Sequence, residues 1–145
     1  MILPDVNVLV YAHRRDLPEH DRYAEWVTAL ATGDERFGLA TLTLSGFLRI
    51  VTSPQVFKEP TPLEDALEFV AELRDRPHAI EILPGPRHWD LFTRLCREAK
   101  ARGKLVPDAY VAALAIEHGC ELVTNDADFA RFKGLRWRHP LQAAS

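Results

Sequence analysis

Four aspartates stand where a divalent cation would be gathered. Asp5 follows Met1-Ile-Leu-Pro and precedes Val-Asn7-Val-Leu-Val, Asp108 opens Asp108-Ala-Tyr-Val-Ala-Ala-Leu-Ala, and Asp126 and Asp128 close Glu121-Leu-Val-Thr124-Asn125-Asp126-Ala-Asp128-Phe129. The first and last of these segments read as strands ending on carboxylates. In an α/β chain, such strand-terminal clusters build metal sites suited to phosphoryl chemistry. Packed carboxylates repel one another, and one or more holds a proton unless a cation offsets them. Oxygen-only ligands, with no His or Cys among them, favour Mg2+ (with Mn2+ possible) over zinc. Asn7 and Thr124 are neutral hydrogen-bonding residues placed to orient a carboxylate or a phosphate. Asp108 leads an otherwise apolar helix, whose N-terminus favours its charge by roughly 0.3–1 kcal/mol. Plainer uses compete: Asp126 and Asp128 suit helix N-caps, and Asp5 suits a turn.

Positioning these acids calls for parallel strands with helices between them. The hydrophobic pattern predicts strands at 2–5, 37–41, 79–83, 121–124 and 135–138. It predicts helices after Asp5 through Tyr11, at Pro18–Ala31, at Thr43–Thr52, from Thr61, at Pro86–Ala101 and from Pro107 to Gly119, with a short one at 126–132. Asp16 and Glu19 have the spacing of a capping box for the second helix. Thr61-Pro62-Leu63-Glu64 predicts a threonine cap for a helix that buries Leu63, Ala66, Leu67, Val70 and Leu73. The expected fold is a three-layer α/β sandwich, a central mostly parallel sheet flanked by helices. Ligands of such sheets sit outside the carboxyl ends of the strands.

At 145 residues and 47% hydrophobic, the chain is expected to be a single domain over 1–145. No apolar run approaches the ~20 residues of a membrane helix. No basic region followed by an apolar stretch opens the chain. A cytoplasmic location without membrane contact is therefore expected. Cys96 and Cys120 lack CxxC spacing, which argues against zinc and against a disulfide. The net charge of −3 does not exclude nucleic acid, because a metal site's own carboxylates count in that sum and its cations do not.

In order and spacing these segments resemble the PIN-domain ribonucleases, in particular the VapC toxins of bacterial type II toxin–antitoxin pairs. Asp5-Val-Asn7-Val-Leu, Asp108-Ala-x-x-Ala-Ala-x-Ala and Leu-Val-Thr124-x-Asp126-x-Asp128-Phe carry the likeness. His20…Trp26, Phe47-Leu-Arg49-Ile-Val-Thr52-Ser-Pro54-x-Val-Phe57 and Leu135-Arg-Trp137…Pro140-Leu141 extend it from end to end. The resemblance implies that Asp5, Asp108 and Asp126 are catalytic metal-binding acids and that Asp128 is a further metal-binding position. It implies an Mg2+-dependent endoribonuclease toxin that hydrolyses RNA phosphodiester bonds with metal-activated water. It also implies a homodimer and a cognate VapB-type antitoxin received in a groove. One departure matters. The family often carries a Glu in a segment like Leu-x-Glu-Phe-Leu-Arg, and here Leu44-Ser45-Gly46-Phe47-Leu48-Arg49 places Gly46 there. Ser45, water or Glu98 would fill the gap, or the site works with fewer acids.

Arg49 shares a helix face with Gly46, and Lys104 lies just before Asp108; both are candidates for contact with substrate or antitoxin. Arg14, Arg15, Lys100 and Arg102 are also candidates for phosphate contacts, which position nucleic acid without reading its sequence, but a solvated charged face is their plainer reading. Trp26, Trp89 and Trp137 fall on apolar faces and are expected mostly in the core. An alternative of another class is a catalytically weak PIN-like module that grips RNA or protein. A haloacid-type phosphatase would need an acid at Asn7, and a phospho-receiver a mid-chain Asp after a strand that the chain lacks.

Overall fold

Five short strands form one sheet in the computed structural model, which describes residues 1–142. They are β1 (Ile2–Pro4), β2 (Phe37–Ala40), β3 (Ala79–Ile82), β4 (Glu121–Val123) and β5 (Trp137–Arg138). The order is β3-β2-β1-β4-β5, and every neighbouring pair is parallel. Parallel neighbours cannot be joined by a tight turn, so helices fill the connections. Between β1 and β2 run α1 (Val6–His13) and α2 (His20–Thr32), and between β2 and β3 run α3 (Thr41–Val51) and α4 (Leu63–Arg74). Between β3 and β4 run α5 (His88–Ala99) and α6 (Leu105–Glu117), and a 3-10 turn (Ala127–Arg131) leads to β5.

Alternation along the strands divides the core in two, since successive strand side chains point to opposite faces. Phe37, Leu39 and Val123 pack with Val8, Leu9 and Phe47 under α1–α4. Leu3, Ile82 and Leu122 pack with Leu95, Leu114 and Phe129 under α5 and α6. At Gly38 an added Cβ would lie 2.8 Å from Ile82 Cγ1 and 3.2 Å from Leu3 Cδ1, so the flanking strands close over β2 only because it lacks a side chain there. The three-layer sandwich expected from the sequence is the observed architecture. No described helix is long and apolar enough to cross a membrane, and both cysteines are free.

Several local expectations are corrected. The capping box at Asp16 and Glu19 does not form: the Arg14 guanidinium takes the Asp16 carboxylate at 2.9 and 2.7 Å, and Glu19 precedes α2 in the left-handed region (φ 58°) without a capping bond. Thr61 caps no helix either. Its hydroxyl lies 3.1 Å from His13 Nε2 and accepts from Arg14 at 3.2 Å, while α4 starts at Leu63. The buried stripe of α4 is narrow, Ala66, Val70 and Leu73, which leaves Leu63 and Leu67 exposed. Trp89 is 66% exposed, one residue round the helix from buried His88, and Trp26 and Trp137 are half-buried.

Candidate metal centre

Asp5 is held at the junction of β1 and α1. Its amide donates to Val123 O (2.9 Å), which extends the β1–β4 pairing one residue past Pro4. Its carboxylate caps α1 through Oδ1, which accepts from the Val6 amide at 2.8 Å, and Oδ2 accepts from the Thr124 hydroxyl at 2.8 Å. The same hydroxyl accepts from the Asp126 amide (3.1 Å) and from Asn7 Nδ2 (3.3 Å). One buried threonine thus joins the ends of β1 and β4. These strands diverge there, β1 leading toward β2 and β4 toward β5, and such a reversal opens a crevice at the strand ends. Burial lifts the Asp5 carboxyl above its ordinary range, against the hydrogen bonds from Thr124 and Val6 and with a further push from Asp126.

Asp126 caps the 3-10 turn, its Oδ1 accepting from the Asp128 amide at 2.9 Å, so the plainer role coexists with the chemical one. Its Oδ2 accepts from Lys104 Nζ at 2.7 Å, and that ammonium lies 3.7 Å from Asp108 Oδ2. Burial works to raise the Asp126 carboxyl, but the bonds from Lys104 and the Asp128 amide outweigh it and hold it low. Asp108, in the first turn of α6, is pushed up to about 6, first by burial and then by Asp5 and Asp126, with Lys104 opposing. Asp5, Asp108 and Asp126 therefore share one field, with Lys104 as its counter-ion.

A cavity of about 400 Å3 opens against this cluster, its wall including Asp5, Thr43, Gly46, Arg49, Lys104 and Asp108. An added Cβ at Gly46 would meet Val6 Cγ2 at 3.5 Å, an ordinary contact, so the glycine is not demanded by packing. Ser45 lines the same cavity, whereas Glu98 pairs with Arg94 at 3.6 Å on α5 and is not part of this wall. Asp128 is exposed and faces an adjoining cavity.

Among the described residues, three buried side-chain polar atoms lack a hydrogen-bond partner: Asn7 Oδ1, Thr43 Oγ1 and Asp108 Oδ2. Thr43 and Asp108 line this cavity, and Asn7 is bonded to Thr124 beside it. An unmet buried group costs about 1–3 kcal/mol, so the two in the cavity wall need a partner there, which water, a hydrated cation or a substrate would supply. Among the described residues, no three His, Cys, Asp or Glu are grouped closely enough to hold a metal ion as they stand. Thr43 escaped the sequence reading; its one signal is the three-residue spacing to Gly46 along α3.

The PIN domain family model matches residues 2–135. Ribonuclease VapC43 of Mycobacterium tuberculosis is 47% identical over 141 residues, 97% of this chain and 96% of that protein. Ribonuclease VapC25 of the same organism is 44% identical over 140 residues, 97% of this chain and 99% of that protein. Among solved structures, VapBC2 from Rickettsia felis bound to a promoter DNA fragment has a chain similar in fold (TM-score 0.70, 20% identity, 96% of this chain and 98% of that one). Mycobacterium tuberculosis VapC20, a sarcin–ricin-loop-cleaving toxin, is similar as well (TM-score 0.64, 14% identity, 94% and 99%).

Proposed function

The chain belongs to the PIN-domain family, among its VapC ribonucleases, and on that premise we propose that it is an Mg2+-dependent endoribonuclease toxin. The observation that carries this reading is the Thr124 tie, which draws Asp5 and Asp126 together on the side where Asp108 stands. A divalent cation bound there supplies the Lewis acidity for in-line hydrolysis of an RNA phosphodiester by water. The protein's own part is positional. Thr124 and the Val6 amide hold Asp5 in one orientation, Asp108 offers Oδ2, which makes no hydrogen bond and has Lys104 at 3.7 Å, and Asp126 offers Oδ2, which Lys104 now occupies. Asp128 is the outlying acid of the set, and Mn2+ suits the same oxygens.

The partner in this reading is a VapB-type antitoxin, supported by the likeness in fold to chains of VapBC complexes. Arg49, exposed in the cavity wall, is the contact offered to RNA or antitoxin, and Lys104 is the second. A single domain over 1–145, a homodimer and a cytoplasmic location complete the proposal.

Purified protein is expected to cut structured RNA with added Mg2+ and to stop with EDTA. Asp108→Asn is expected to lose roughly 100-fold or more, at or beyond the upper end of the 10–100-fold typical of removing a ligand's supporting partner. Its circular dichroism should be unchanged. Full Mg2+-dependent cleavage by that variant would overturn the assignment. Gly46 in the acid position and Lys104 seated across two carboxylates favour a second reading, a weakly catalytic RNA- or protein-binding module. RNA binding without EDTA-sensitive cleavage would select it.

A further inference from the structure

We propose that the cavity adjoining the acid cluster is a phosphate subsite that holds the RNA strand next to the bond being cut. This rests on the ribonuclease reading above. The cavity, about 260 Å3, is lined by Lys100, Arg102, Lys104, Asp108, Asp128 and Arg131. It shares Lys104 and Asp108 with the 400 Å3 cavity, so the two meet along a common wall. A strand whose scissile bond faces Asp5 and Asp108 must carry its neighbouring phosphates past an adjoining surface, and this one is cationic.

The cations converge from two elements. Lys100, Arg102 and Lys104 come from the turn joining α5 to α6, where Lys100 (φ 51°) and Gly103 (φ 57°) both bend the chain through the left-handed region. Arg131 comes from the far side, at the end of the 3-10 turn that starts from Asp126. A helix C-terminus explains a lysine at position 100 but no convergence with Arg131. Arg14, Arg22, Arg74, Arg94 and Arg138 each have a carboxylate partner. Exposed Lys100, Arg102 and Arg131 have none among the described residues; Arg15, Arg36 and Lys58 have none either, so what sets the three apart is that they line one cavity beside the acids. A second basic cavity, at His13, Arg14, Arg15 and Lys58, lacks this character: Arg14 is bound to Asp16, Glu59 O and Thr61, and no residue is shared with the acid cavity. Contacts of this kind place a backbone without reading its sequence.

The test is the triple variant Lys100→Gln, Arg102→Gln, Arg131→Gln, read by binding of a labelled single-stranded RNA in EDTA at several salt concentrations. Each phosphate contact contributes about 0.7 to the slope of log affinity against log salt, so the slope should flatten by roughly 2. With Mg2+ present, KM should rise much more than kcat falls. If the triple variant does not fold, Arg131→Gln alone should flatten the slope by about 0.7. An unchanged slope and KM in folded protein overturns the subsite. So does a loss confined to antitoxin binding. Wild-type protein that cleaves no RNA, with the slope change still seen, removes the ribonuclease reading and leaves the cavity as a phosphate contact with no bond to cut; cleavage with an unaltered slope keeps the ribonuclease and removes the subsite.

Discussion

At Asp108 the cost of ionisation is visible without any enzymology. Its folded-state value of about 6 stands above the ordinary 3.8, so the folded protein holds this proton more tightly than the unfolded chain does. Well below pH 3.8 the group is neutral in both states and carries no penalty. Between about pH 4 and 6 the unfolded chain gives up this proton while the fold keeps it, so the metal-free fold loses stability across that window and the penalty is complete above 6. In EDTA, Asp108→Asn should therefore melt higher than wild type at pH 7.5, with the gap closing toward pH 4 in thermal melts. Mg2+ should narrow the gap at pH 7.5 by stabilising wild type. Asp5, Asp108 and Asp126 were legible in the sequence because a strand end and a helix start each mark a position in a parallel sheet. Lys104 was legible only as a neighbour of Asp108. Its shorter contact, to Asp126, crosses 22 residues and depends on the fold. Asp128, two residues from Asp126, turns toward another cavity because the chain has already entered a 3-10 turn.

Among elements, the joint between β1 and β4 carries the site. Thr124 bonds with Asp5, Asn7 and Asp126, so Thr124→Val removes a donor and an acceptor while keeping the shape. The variant is expected to lose about 1–3 kcal/mol in urea unfolding, because Asp5 Oδ2 is left buried and unpaired. Cleavage should fall with it. Denaturation unchanged within error would mean that the tie does not organise the crevice. Alternation and apolar stripes made the strands and helices readable, yet sheet order was not, since alternation does not say which strands are neighbours. Caps failed for a similar reason. Asp16 and Thr61 have the right spacing for capping, and both are claimed by Arg14, whose position depends on tertiary structure. Trp89 was misassigned because hydrophobicity marks α5 as amphipathic without fixing where its inward stripe ends.

For the molecule as a whole, the net charge of −3 conceals a division, an acid cluster around the ends of β1 and β4 and exposed cations beside it. The two halves of the crevice are also supplied by opposite ends of the chain: β1 lies at the centre of the sheet, and its partner Leu122 pairs with Leu3. In the order of synthesis Asp5 precedes Thr124 by 119 residues, so the joint cannot close until the later strand has been made. A fragment of residues 1–118 is expected neither to restrict growth on expression nor to cut RNA when purified; cleavage by it would show that the β1–β4 joint is dispensable. The order of translation thus acts as a safety interlock. Until the later strand has been made, Asp5 has no Thr124 to hold it, and a product ended before that point lacks the tie.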